Sequence, residues 1–233
     1  MPGVLKMDTK SMNMVIDAPY FAPYGFYAEG LNASGFAPDD CILFSFSLDL
    51  ADPANADINS KGYYTGTVGE ISRVDEGQFL GSMLDTAALL NAEQKIAYAV
   101  DANFGSNGGY AFIIANKLFL FSDITMMSKQ ENKWILHCDY ANLEPQQDSS
   151  TGLNAYSFFL RSTIDREGQT PEQNNVSVNA FPMKSALDRI QELEKQGTNS
   201  EAILRIHFIK DIKDNGQTLV WDKSDLRIFI ARE

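Results

Sequence analysis

The last thirty residues constrain the fold most. In Leu204-Arg205-Ile206-His207-Phe208 apolar and polar side chains alternate, the two-residue period of a strand with a buried face. Asp214-Asn215-Gly216 supplies a turn that tolerates positive φ, and Thr218-Leu219-Val220-Trp221 answers as a partner strand. Leu226-Arg227-Ile228-Phe229-Ile230 adds a third run, and together they predict an antiparallel meander. The same pattern recurs along most of the chain. The expected fold class is therefore mainly β, an antiparallel barrel and/or β-sandwich.

Earlier segments fit this frame. Cys41 to Leu50 reads as a strand with Ile42, Phe44, Phe46, Leu48 and Leu50 on one face. Tyr63 to Val74, Tyr110 to Ile114, Lys117 to Phe121, Lys133 to Tyr140 and Ala155 to Ile164 are further strands, with Glu144 to Gly152 and Asp165 to Asn175 as polar loops. Met183 to Gln196 predicts one amphipathic helix, its stripe formed by Met183, Ala186, Leu187, Ile190 and Leu193. Pro182 is expected at or near its first position and Gly197 at its end. A shorter helical region is expected over about 83–98. At 233 residues the chain accommodates two units, read as 1–116, β-rich and barrel-like, and 117–233, sandwich-like with the helix. A boundary near Asn142 is the alternative.

Composition removes whole classes of function. A net charge of -12 works against a nucleic-acid partner, which is held by clustered Lys and Arg, and against an anionic membrane surface. No apolar run reaches the length of a membrane-spanning helix. The start, Met1-Pro2-Gly3-Val4-Leu5-Lys6, has no apolar signal core, so either the chain is cytoplasmic or a leader is removed from it. Cys41 and Cys138 are the only cysteines. A bridge between them would close a loop of about a hundred residues and stabilise by roughly 4–5 kcal/mol, but two thiols so far apart are more often unpaired.

Candidate chemistry is sparse. His137 and His207 are the only histidines, and strand alternation places each opposite its apolar neighbours, a sheet-face position. Cys138 points away from His137 on a regular strand, so the two do not form a nucleophile–base pair. No phosphate-cradling glycine loop, nucleophile elbow or zinc ligand set is present. Asp52, Asn55, Asp57 and Asn59 put four oxygen ligands in one loop, a candidate for calcium; Asp101 and Asn103 beside Gly105 form a poorer one. Neither matches the twelve-residue helical-hand pattern, and solvated turns are the competing reading. Tyr20, Phe21, Tyr24, Phe26 and Tyr27, set among Pro19, Pro23 and Gly25, are either a ligand-binding aromatic platform or rings packed into a barrel. With 31 acidic residues no carboxylate pair for an acid/base hydrolase can be singled out.

Lys117-Leu118-Phe119-Leu120-Phe121-Ser122-Asp123-Ile124, a short linker, and then Trp134-Ile135-Leu136-His137-Cys138-Asp139-Tyr140 resemble the NigD-like proteins. The family's strand ends in Asp-Ile and is followed by an aromatic-led apolar strand; the strand–helix–strand layout of 156–230 is similar too. The resemblance implies a small N-terminal barrel followed by a β-sandwich, a non-enzymatic protein, and a cell-envelope location, usually as an exported lipoprotein. The chain departs from it in having no leader or lipid-attachment cysteine at its start. The expected function is a non-catalytic envelope or secreted β-protein acting through protein or glycan contacts. The alternatives are a carbohydrate or small-ligand module using the aromatics of 20–36, or an acid/base hydrolase.

Overall fold

The computed structural model describes residues 1–31, 35–82, 94–99, 112–195, 197–214 and 218–231. In chain order the strands are β1 (Pro2–Met7), β2 (Met14–Asp17), β3 (Gly25–Ala28), β4 (Cys41–Ser47), β5 (Tyr63–Arg73), β6 (Asp75–Glu76), β7 (Gln78–Leu80), β8 (Ile96–Ala99), β9 (Phe112–Ile114), β10 (Lys117–Ser128), β11 (Glu131–His137), β12 (Gln146–Gln147), β13 (Asn154–Arg166), β14 (Gln169–Pro182), β15 (Glu201–Lys213) and β16 (Thr218–Phe229). Among the described residues two α-helices accompany them, α1 (Ile58–Lys61) and α2 (Lys184–Glu194). The fold is mainly β, with a closed barrel, as the alternation in the sequence requires. Among the described residues no helix is long and apolar enough to cross a membrane. The chain divides into two compact units, Met1–Glu76 with Phe112–Ala115, and Gly77–Ala111 with Asn116–Glu233.

The first unit is a five-stranded barrel closed in the order β1-β2-β3-β5-β4. All its pairings are antiparallel except β3 with β5, where Gly25 to Ala28 lie beside Tyr63 to Gly66 in parallel. Closure leaves no open edge, and the inward positions fill the lumen. Leu5, Ile16, Phe21, Phe26, Ile42 and Phe44 form that filling. The rings pack as offset and tilted pairs, with Phe21 and Phe26 stacked at 4.7 Å and Phe21 edge-on to Phe46 at 4.8 Å. β5 passes so close to this filling that Gly66 has no room for a side chain. A Cβ there would sit 2.4 Å from the Ser47 carbonyl oxygen and 2.8 Å from the Phe26 ring.

In the second unit β14, β10 and β8 lie side by side, and a six-stranded sheet runs β16-β15-β13-β11-β7 with β12 on β13. β10 turns at Lys129, φ 62°, into β11 of the six-stranded sheet, and β13 turns at Glu167-Gly168 into β14. The chain thus crosses from one sheet to the other at both turns. β13 and β15 pair in parallel, Tyr156 beside Leu204, Phe158 beside Ile206 and Leu160 beside Phe208. A parallel neighbour needs a crossover, which β14 and α2 provide. Tyr156, Phe158, Leu160 and Ser162 of β13 and Ala202, Leu204, Ile206 and Phe208 of β15 are buried on one face. On that side Glu194, at the end of α2, accepts hydrogen bonds from the Tyr156 hydroxyl (2.5 Å) and the Asn154 amide (2.8 Å).

Several sequence-based expectations are corrected here. Pro182 is the last residue of β14, opposite Lys117, and α2 starts only after Met183, whose N–H donates to the Asn116 carbonyl at 2.9 Å. Strand pairing therefore claims the position that proline's fixed φ made suitable for a helix start. Of the helical region expected over 83–98, residues 83–93 lie outside the described residues, and Ile96–Ala99 is strand, paired with β10. Asp165 to Asn175 is not a loop: β13 continues to Arg166, and β14 pairs with β10 from Gln169 onwards. That stretch is exposed throughout, so no buried face imposes alternation and its polar sequence hides the strand. β4 ends at Ser47, and Leu50 is exposed in the following turn. Asn215 and Gly216 lie outside the described residues, while the strands flanking them pair as expected, Lys213 opposite Thr218; Leu226 to Phe229 is not a third strand of a meander but the end of β16, paired with the start of β15.

The crowding at Gly66 gives the barrel a single-residue test. Gly66→Ala is expected to destabilise the protein by about 1–3 kcal/mol through overpacking against backbone, read as a lowered urea midpoint. An unchanged midpoint would show that β5 can move away from the lumen.

Candidate functional site

The barrel sorts the five predicted aromatics into two groups. Phe21 and Phe26, at 1% and 0% exposure, belong to the lumen. Tyr20 follows Pro19 in a single 3-10 turn (Pro19–Phe21) and is 67% exposed. Its ring is nevertheless held, edge-on to Phe21 at 5.2 Å and tilted against Phe46 at 5.3 Å. Tyr24 is half-buried, edge-on to Tyr64 at 5.9 Å, and its hydroxyl donates to the Asn59 side-chain oxygen. Tyr27 packs separately against Tyr63, 5.6 Å away, with the Lys61 ammonium 4.9 Å from the Tyr63 ring. One rim of the barrel thus presents Tyr20, Tyr24, Phe46 and Tyr64, with Phe21 beneath Tyr20 as its support. Phe46 and Tyr64 were not foreseen. Each is recognised only once β4 and β5 are known to meet.

The loop proposed for calcium lies between β4 and β5. The Asp52 carboxylate accepts the Ala54 N–H at 2.8 Å and caps the 3-10 turn Pro53–Asn55. Asn55 is buried, and its amide ties the loop to β5. It donates to the carbonyls of Asp49 and Thr65, both at 2.9 Å, and accepts the Thr65 N–H at 2.7 Å. Asn59 is engaged with Tyr24, and Asp57 precedes α1, its carbonyl accepting the Lys61 N–H at 3.1 Å. The side-chain oxygens of Asn55 and Asn59 are thus already used by the protein. Among the described residues no three or more His, Cys, Asp or Glu side chains gather as metal ligands do. Asp101 and Asn103 lie outside the described residues.

A second cluster is in the six-stranded sheet. Opposite the buried even-numbered face of β13 lie Ser157, Phe159 and Arg161, beside Arg205 and His207 of β15. The His207 Nε2 and Ser157 Oγ are 3.1 Å apart. Arg205 donates to both oxygens of Asp225 (2.8 and 2.7 Å) and to Asp148 (2.7 Å), pinning the loop that holds Asp148 onto the sheet. The Ser150 hydroxyl and the Arg205 guanidinium hold the Asp148 carboxyl well below the usual carboxylate range. His207 is depressed by burial first, then by Arg205 and Lys223, with Asp225 acting the other way. Asp225 is spent on Arg205, and among the described residues no carboxylate orients the His207 imidazole as the third member that activates a nucleophile would. The two cysteines are buried and not bridged to each other; the Cys41 thiol donates to the Glu76 carboxylate at 3.7 Å, and burial, then Asp139, pushes Cys138 up to about 12.

The division of the aromatics is testable without a ligand. Phe21→Ala should cost about 3–5 kcal/mol, as for a buried ring, whereas Tyr20→Ala should stay within about 0.5 kcal/mol, as for a surface change. Chemical denaturation of the two variants compares them directly, and equal losses would place Tyr20 in the core.

Comparison with known proteins agrees with this architecture. The Lipoprotein OB domain family matches residues 1–72, the span of β1 to β5. No curated protein matches the sequence. Among solved structures, an uncharacterised protein from Parabacteroides merdae is similar at TM-score 0.84 and 16% identity, over 99% of this chain and 98% of that one. A candidate lipoprotein from Bacteroides fragilis is similar at TM-score 0.62 and 10% identity, over 100% and 98%. A NigD-like immunity protein from Bacteroides caccae aligns at TM-score 0.48 and 6% identity, over 95% and 89%. At these identities what is shared is the fold, and with the first two it is shared along the whole chain.

Proposed function

We propose that the protein is a non-catalytic component of the bacterial cell envelope whose N-terminal barrel binds a neutral glycan through the rim of Tyr20, Tyr24, Phe46 and Tyr64. The observation that carries this reading is Tyr20, a large ring left in solvent yet braced on two sides by Phe21 and Phe46. A braced aromatic offers apolar area without a large ordering cost on binding. Sugar rings present flat C–H faces that such a surface accepts, while the Tyr24 hydroxyl and Asn59 add polar groups beside it. The net charge of -12 favours a neutral ligand over an anionic one. Five-stranded barrels of this type often hold oligosaccharides or oligonucleotides on the face of strands 2 and 3, and charge selects the former. Location at the envelope is supported by the lipoprotein descriptions of the matching family and of the Bacteroides fragilis structure.

The experiment is a neutral-glycan array followed by calorimetry on the best binder. Tyr20→Ala with Tyr24→Ala is expected to weaken binding about thirtyfold or more, the equivalent of a hot-spot ring worth about 2 kcal/mol. Turnover of any glycan, or binding that survives the double substitution, would defeat the reading. Saturable binding to an envelope protein with none to glycans would replace it by the protein-contact alternative.

A further inference from the structure

Both histidines of the chain occupy one row of one sheet, around a single ring. His137 of β11 lies opposite Phe159 of β13, and Phe159 lies beside His207 of β15. The three rings stack, with centroids 5.4 and 4.8 Å apart and planes within 20° and 17°. Trp221 of β16 stands edge-on to Phe159 at 5.5 Å. His137 is 1% exposed, and neither of its ring nitrogens has a hydrogen-bond partner. A neutral imidazole tolerates that setting; an imidazolium has two N–H donors and a charge to satisfy there.

The charged groups around the row, among the described residues, are mostly cations. Arg161 of β13 acts on His137, and its guanidinium carbon is 6.0 Å from the Trp221 ring. Arg205 of β15 and Lys223 of β16 act on His207. The carboxylates are Asp225, which favours the charged form of His207, and Asp148; both are bonded to Arg205. β7, which lies beside β11 with Leu80 opposite His137, carries no ionisable side chain. Further along β15, Asp211 is paired with Lys95.

We propose that the His137–Phe159–His207 row is an acid-sensitive latch: protonating its imidazoles loosens the six-stranded sheet of the C-terminal unit while the N-terminal barrel, which holds no histidine, keeps its structure. Burial first, and the Arg161 charge second, push His137 down to about 4, and His207 is lowered in the same direction. The unfolded chain binds a proton near its ordinary value of about 6.5 while the folded row refuses it. Stability is therefore complete above about pH 6.5 and drains as pH falls towards 4, about tenfold in the folding constant per pH unit for His137, with His207 adding a loss of the same sign. For His137 alone the fall between pH 7 and 4.5 is about fiftyfold. The depressed carboxylates act lower, below about pH 4, so this window isolates the histidines.

The test is segment-resolved hydrogen exchange of the full chain in sub-denaturing urea at pH 7, 6, 5 and 4.5, corrected for intrinsic exchange. Expected is a progressive loss of protection in β11, β13 and β15 with β1 to β5 unchanged. In His137→Phe, which keeps the stack without a proton site, about fiftyfold of that loss should disappear. Parallel loss in variant and wild type, or protection that is flat with pH, would overturn the latch. Should the variant not fold, the wild-type His137 ring resonance followed through the same range decides: titration near 4 supports the latch, and titration at or above 6.5 overturns it.

Discussion

The C-terminal unit depends on the parallel pairing of β13 with β15. That register places Tyr156, Phe158 and Leu160 beside Leu204, Ile206 and Phe208 on one face, and Ser157 and Phe159 beside Arg205 and His207 on the other. A slip of one residue would exchange the two faces, moving Tyr156, Phe158 and Leu160 to the side that Arg205 and His207 occupy. The Tyr156–Glu194 hydrogen bond secures the register from the helix side, and Arg205 with Asp148 and Asp225 secures it from the other. Each of these polar contacts forms only when the apolar pairs are aligned.

The barrel solves a different problem. Its lumen is filled by large rings, so the backbone must come close wherever two rings meet, and Gly66 is where this is most acute. Tyr20 is fixed by the same rings that make the lumen, which is why a residue in solvent has a defined orientation. Rigidity at the rim is thus inherited from the core rather than built separately.

Much of the fold was legible in the residues because burial on one face imposes a period. β4, β5, β11 and β13 announce themselves through alternation, and α2 through its stripe of Ala186, Leu187 and Ile190. Where neither face is buried, as in Gln169 to Asn175, no period exists and the strand is invisible. Pro182 misled because a local preference yielded to pairing with Lys117. The sites were less legible. Tyr20 and Phe21 are neighbours of similar size, and nothing local says that one fills the lumen while the other leaves it. The stack of His137, Phe159 and His207 joins residues from three strands far apart in sequence, so only the register could reveal it.

The six-stranded sheet ends, among the described elements, at β16, and the ionic pairs across β15 and β16 bear on what happens there. Asp222 holds Lys210, Asp225 holds Arg205 and Arg227 holds Glu201, while the Lys223 N–H turns to the Asp222 carboxylate at 2.9 Å. A foreign strand approaching this margin would meet fixed charges on either side and at least one donor already committed. Open sheet margins recruit copies of themselves into fibrils unless such obstacles intervene. At this margin β16 thus presents charges already held in pairs with β15, an arrangement that disfavours edge-to-edge recruitment of another strand.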